Sequence, residues 1–138
     1  MHAIVVDTQS EQRLLQWTQV EDPVAVHGEV IVDIHATAVN RADLLQRAGH
    51  YPPPPGAPDI IGLEMAGVVA DPGQSDWAIG DRVCALLTGG GYAERVAVDA
   101  RLLIPVPDDW PLTRAAALPE VFLTAFVNLF GEASLQDG

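Results

Sequence analysis

Four consecutive prolines, Pro52, Pro53, Pro54 and Pro55, restrict the middle of the chain more than any other feature. Such a run holds an extended polyproline rod without backbone hydrogen bonds and with little freedom left to lose. The residues ahead of it read as a short capped helix. Asn40 can cap it, and Asp43, three residues on, completes a capping-box-like start. Leu44, Leu45 and Ala48 are expected on one helical face, with Gly49 ending the helix. Tyr51 then stands between the helix and the rod. Two roles are open to it: a phenol fixed at the rim of a cleft, or a ring packed under the prolines.

Either side of this stretch the pattern is that of strands. Short β-branched or alternating runs are expected over 3–6, 13–20, 29–39, 65–70, 82–87, 92–98 and 102–104. The run 29–39 is the clearest. Val30, Val32, Ile34, Ala36 and Ala38 share one face; Asp33, His35 and Thr37 share the other. Many short strands bounded by turns predict a mainly β, barrel-like domain over 1–118. From Asp108 the character changes. Thr113 is expected to cap a short helix over 114–118. Pro119 suits the first turn of a second helix through Phe130, ended by Gly131. Residues 119–138 then form a helix and connector.

Composition excludes several classes. Lysine and arginine number 7 against 19 aspartates and glutamates, a net charge of −12. That balance argues against nucleic acid and anionic membranes as partners. The single cysteine, Cys84, excludes an internal disulfide and any zinc site of four cysteines or of two cysteines and two histidines. No apolar run approaches membrane-spanning length and no basic leader opens the chain. The expectation is a cytoplasmic protein.

Few residues carry chemistry on spacing alone. Gly89-Gly90-Gly91 invites a phosphate-loop reading, but it opens an alternating strand rather than a helix, so a tight hairpin is expected. The four histidines share no metal-ligand spacing, and His35 is expected to be a core or edge histidine. Glu64 lies in an apolar run. A buried carboxylate must be paired or neutral. It pairs with an arginine such as Arg82, or it lines an active site. Glu120, Thr124 and Asn128 recur every four residues along the last helix, as surface polar groups or as the lining of a cleft.

The ordered set of motifs goes further. Asn40-Arg41-Ala42-Asp43, Gly49-x-Tyr51, the proline run, Gly62-x-Glu64-x-Ala66-Gly67, Gly80-Asp81-Arg82-Val83, Gly89-Gly90-Gly91-Tyr92-Ala93-Glu94 and Ala115-Ala116-Ala117-x-Pro119 occur in sequence. Together they resemble the N-terminal, GroES-like catalytic domain of the medium-chain dehydrogenase/reductases. Within that superfamily they resemble the zinc-free, zeta-crystallin-like NADPH:quinone oxidoreductase branch. The resemblance implies a partly open β-barrel leading to a Rossmann domain that is absent here. It also implies hydride transfer from NADPH to a quinone and a homodimer in the intact enzyme. Zinc alcohol dehydrogenases of this superfamily place a cysteine, a histidine and a cysteine where this chain has Asn40, Leu63 and Glu120. An amide, an alkyl group and a carboxylate cannot hold tetrahedral zinc.

In the same resemblance Tyr51 donates to the substrate carbonyl, Asn40 bonds cofactor or substrate, and Thr124 touches the nicotinamide end. NADP(H) is then held mainly by the Rossmann domain, since this chain carries no strand-glycine-helix fingerprint. An enoyl reductase uses the same scaffold, and a non-catalytic GroES-like binding module is the remaining alternative.

Overall fold

The computed structural model describes residues 1–136, so the last two residues of the expected connector lie outside the described residues. Seven strands form in the described residues: β1 (His2–Val6), β2 (Leu15–Gln19), β3 (Glu29–Thr37), β4 (Glu64–Asp71), β5 (Arg82–Leu86), β6 (Arg95–Asp99) and β7 (Ile104–Pro105). Three α-helices accompany them: α1 (Arg41–Ala48), α2 (Leu112–Ala115) and α3 (Pro119–Phe126). All pairings are antiparallel. β1 and β2 make a hairpin, and the larger sheet runs β6-β3-β4-β5-β7. The two sheets are stitched where the Ile4 N–H donates to the Tyr92 carbonyl at 2.8 Å and the Glu94 N–H to the His2 carbonyl at 3.0 Å. The result is mainly β and partly open rather than a closed barrel.

Strand alternation positions the core. Val30 and Val32, Met65 and Val69, Val83 and Ala85, and Val96 and Val98 face one another inside the curled sheet. The opposite face of β4 and β5 offers Ala66 and Cys84, covered by Ala115 and Ala116 around α2. Small side chains there let α2 lie close to the sheet and bring the start of α3 over the first residue of β4.

Two glycines make this packing possible. Gly67 pairs with Ile34, and a Cβ at Gly67 would overlap the Asp33 carbonyl oxygen. Gly62 has φ +110°, and a Cβ there would lie 2.6 Å from the Tyr92 backbone nitrogen. Next to Gly67 the β3 register slips between Ile34 and Ala36. His35 is therefore bulged out and exposed rather than in the core.

Several expectations are corrected. The triple glycine does not turn a hairpin, because β6 pairs with β3 and not with β5. Instead the N–H groups of Gly90, Gly91 and Tyr92 donate to the carbonyls of Ile60, Gly62 and Ile61. The proline run leads straight into a turn: the Ala57 N–H donates to the Pro54 carbonyl at 3.1 Å, and Gly56 supplies its positive φ of +85°. On α1 the buried residues are Asp43 and Gln46, while Leu44 and Ala48 are exposed. Pro111 rather than Thr113 stands at the head of α2. Residues expected as a strand over 102–104 begin as a 3₁₀ turn, Ala100–Leu102. Gly131 does not stop the last helix, which runs on from α3 through a π-helical turn, Val127–Glu132.

The close approach at Gly67 gives a test. Gly67→Ala should cost roughly 3 kcal/mol or more, because the colliding partner is backbone that a neighbouring strand holds in place. Gly28→Ala, at φ +89° but with open space around it, should cost only about 1 kcal/mol. Urea denaturation of both variants measures the difference; equal midpoints would contradict the packing described.

Candidate active site

Glu64 opens β4 on the same sheet face as Ala66, and it is 1% exposed. Its Oε1 accepts a hydrogen bond from Asn40 Nδ2 at 2.8 Å, and its Oε2 accepts one from the Glu120 backbone N–H at 2.8 Å. The Glu64 carbonyl accepts from Thr37 Oγ1 at 2.7 Å. Leu118 has no side chain able to cap α3, so Glu64 does so from a distant strand. The carboxylate meets an unpaired N–H at the positive end of the helix. Arg82 is not the partner: its Nη2 donates to the Trp110 carbonyl.

Asn40 is fixed on its other side by α1. Its N–H donates to Asp43 Oδ2 at 2.7 Å, and Asn40 and Asp43 form the expected capping box. Asp43 is 1% exposed and also accepts from the Tyr92 hydroxyl at 2.9 Å. Its Oδ1 has no partner among the described residues, nor has Gln46 Oε1 one turn along. Tyr92, Asp43, Asn40, Glu64 and the Glu120 N–H thus form one chain of contacts through four parts of the fold.

The electrostatics follow from acids held without cations. Burial, then the hydrogen bond to Asp43 and the charges of Asp43 and Glu64, push the Tyr92 phenol far above its ordinary range, so it remains a donor. Burial raises the Cys84 thiol, with Glu64 adding to it, so this thiol stays protonated and inert. Burial, then the charges of Glu64 and Asp43, raise the Glu120 carboxyl above 4.5.

Of the residues expected at a site, the structure brings together Asn40, Glu64 and Glu120. Thr124 is exposed on α3 and lies four residues beyond Glu120, on the same helical side and about 6 Å further along the axis. Its carbonyl accepts from Asn128 Nδ2 at 2.7 Å, so Asn128 is spent on the helix surface. Tyr51 is 48% exposed, lies beyond the far end of α1 from Asn40, and makes no hydrogen bond among the described residues. Sequence reasoning missed Tyr92 and read Asp43 only as a cap. The signal for Tyr92 was the glycine run before it, which allows the close approach that carries its ring to Asp43. Among the described residues no three His, Cys, Asp or Glu side chains are grouped to hold a metal ion.

A partly open antiparallel barrel, with a helix-capping amide and a buried glutamate meeting at the head of a following helix, defines a GroES-like domain. The chain belongs to the alcohol dehydrogenase GroES-like domain family of the medium-chain dehydrogenase/reductase superfamily; that family's model matches residues 26–108. The crystal structure of human synaptic vesicle membrane protein VAT-1 homolog-like protein is similar at a TM-score of 0.91 and 33% identity, over 100% of this chain and 45% of that one. The quinone oxidoreductase from Thermus thermophilus, also solved with NADPH, is similar at 0.81 and 35% identity, over 100% of this chain and 43% of that one. JamJ enoyl reductase is similar at 0.84 and 26% identity, over 99% of this chain and 44% of that one. The chain spans less than half the length of each.

The raised Glu120 carboxyl has a measurable sign. Its folded value lies above its ordinary 4.5, so the unfolded chain ionises first as pH rises. Stability therefore falls with rising pH from the ordinary carboxylate range until folded Glu120 has also ionised. Thermal melts of the wild type and Glu120→Gln, taken from about pH 3 to about pH 8, should show a shallower decline in the variant. Identical pH slopes would mean that neither burial nor the charges of Glu64 and Asp43 raise the Glu120 carboxyl.

Proposed function

We propose that this chain is the substrate-side domain of a zinc-independent NADPH:quinone oxidoreductase that works with a nucleotide-binding domain, as a cytoplasmic homodimer. The observation that carries the reading is the Asn40–Glu64–Glu120 frame. At the three positions where zinc-using relatives carry soft ligands, this chain has an amide, an alkyl group and a carboxylate, and hydrogen bonds to Glu64 knit the region together. A quinone taking up hydride spreads the new negative charge through its ring and onto oxygen. Hydrogen-bond donors suffice to stabilise that charge where an alkoxide needs a Lewis acid.

The residues fit one end of NADPH. Thr124 on the exposed side of α3 and Asn40 at the head of α1 offer polar groups to a nicotinamide. NADPH, when bound, supplies the hydride. The pyrophosphate finds no cradle among the described residues, because the N–H groups of Gly90 and Gly91 already bond Ile60 and Gly62. Residues 1–118 would hold substrate, and residues 119–138 would lead to the nucleotide domain. Tyr51 is half-exposed, and its hydroxyl, without a hydrogen bond among the described residues, can donate to the quinone oxygen. The likeness to an enoyl reductase favours a second reading, reduction of an activated carbon–carbon double bond on the same scaffold. Parallel assays with quinones and with α,β-unsaturated thioesters separate the two.

Two measurements test the proposal. Calorimetry of the 138-residue chain with NADPH should show no saturable binding in the micromolar range, an order-of-magnitude bound for a cofactor site. Saturable micromolar binding would overturn the division of labour. In the intact enzyme, Tyr51→Phe should lower kcat/KM for quinones by about 10-fold to 100-fold, since a single oxyanion donor is typically worth more for harder substrates. Its melting temperature should hardly change. Wild-type kcat/KM across several quinones would return Tyr51 to ordinary packing beside the prolines.

A further inference from the structure

We propose that Glu64 is a positioning residue that fixes which way the Asn40 carboxamide faces, so that Asn40 offers the bound molecule one N–H donor. The inference rests on the reading of Asn40 as a cleft residue. A primary amide has one acceptor oxygen and two N–H donors, and its two ends have nearly the same shape. Something must therefore choose between them. An ionised carboxylate only accepts, and Glu64 Oε2 is committed to the Glu120 N–H. Its buried Oε1 needs a donor, and Asn40 Nδ2 at 2.8 Å supplies it. Turning the amide over would set oxygen against oxygen in a place water does not reach.

With Nδ2 on Glu64, the Asn40 side-chain oxygen is left on the α1 side of the amide, facing the first turn, where the Asp43 N–H donates to the Asn40 backbone carbonyl at 3.1 Å. The backbone of Asn40 is pinned as well, through its N–H to Asp43 Oδ2. With one N–H given to Glu64 and the oxygen turned toward the first turn of α1, the second N–H of this half-buried residue is the donor left for a bound molecule. The position then selects for an acceptor oxygen, such as a carbonyl becoming negative, and against a hydroxyl that must donate.

Glu64→Gln tests this because it puts a donor where an acceptor faced Asn40 while nearly keeping the shape of the side chain. The introduced glutamine keeps its oxygen on the Glu120 N–H and turns its NH₂ toward Asn40. That reverses the Asn40 amide and points a lone pair where the N–H had been. In the intact enzyme kcat/KM for a quinone should drop by about 10-fold to 100-fold, the scale of one lost donor. The double variant Glu64→Gln with Asn40→Asp restores a bond, now donated by the introduced glutamine. It should melt above Asn40→Asp alone and still lack the lost activity. A double variant that recovered both stability and activity would show that Glu64 only holds the fold, and Glu64→Gln at wild-type kcat/KM would overturn the inference outright. The side-chain amide protons of Asn40 in the nuclear magnetic resonance spectrum of the 138-residue chain give a readout without turnover. One of them should be shifted downfield in the wild type and not in Glu64→Gln. An unshifted wild-type pair would sink the inference even if quinone reduction stands. A shifted pair in a protein that reduces no quinone would leave Glu64 orienting Asn40 and remove only the proposed reaction.

Discussion

A buried carboxylate without a cation governs the rest of this structure. The chain has few basic residues, and most are occupied elsewhere. Arg95 pairs with Asp22 and Asp33, Arg101 with Asp99, and Arg13 and Arg47 bond each other's backbone carbonyls. Glu64 is therefore held by dipoles: a side-chain amide and the first turn of a helix. Hydrogen bonds to a charged group contribute about 1.5–3 kcal/mol each, and losing one partner leaves the charge buried and underserved. The same carboxylate thus joins α1, β4 and α3, and none of the three can shift without opening a bond to it.

That joint exists because backbone comes very close to backbone beside it. Residues 60–62 and 90–92 are laced by three N–H donors from the glycine-rich segment. A side chain at Gly62 would strike Tyr92, and one at Gly91 would come within 2.9 Å of the Glu64 and Gly62 carbonyls. The lacing sets the Tyr92 ring where its hydroxyl reaches Asp43. The glycines therefore build the site's polar frame, and for the same reason Gly90 and Gly91 have no N–H groups to spare for a phosphate.

The strands were legible because alternation is a local signal, and the edges were off by one to three residues for the reason that pairing, not propensity, ends a strand. The capping box of α1 was legible for the same local reason. Its buried face was not. Apolar periodicity points to Leu44 and Ala48, whereas the fold buries Asp43 and Gln46 against a polar frame assembled from elsewhere. The role of the glycine run was hidden too, since β5 and β6 are adjacent in sequence and separated by two strands in the sheet. Glu64 was recognised as an anomaly, but its partners come from positions 24 and 56 residues away. Tyr92 and Asp43 lie 49 residues apart. No local pattern encodes such pairings.

Helix α3 depends on that frame for its direction. Pro119 is its only buried residue, while Phe122 and Phe126 are exposed, and the Phe126 ring packs against Phe130, centroids 5.0 Å apart, instead of on the barrel. The helix is aimed from its first turn, and Thr124 is carried on it one turn further on. On the proposed reading, Asn40 and Thr124 both take their places from Glu64. A zinc ion joining the positions of Asn40, Leu63 and Glu120, as in zinc-using relatives, would supply roughly 10 kcal/mol or more of binding energy to hold them, as structural sites do. Two hydrogen bonds to Glu64 supply a fraction of that, about 1.5–3 kcal/mol each. The barrel must then be rigid enough by itself to keep the amide and the helix in register. On the proposed zinc-free reading, the glycine lacing beneath Tyr92 and the close crossing of β3 and β4 at Gly67 supply that rigidity.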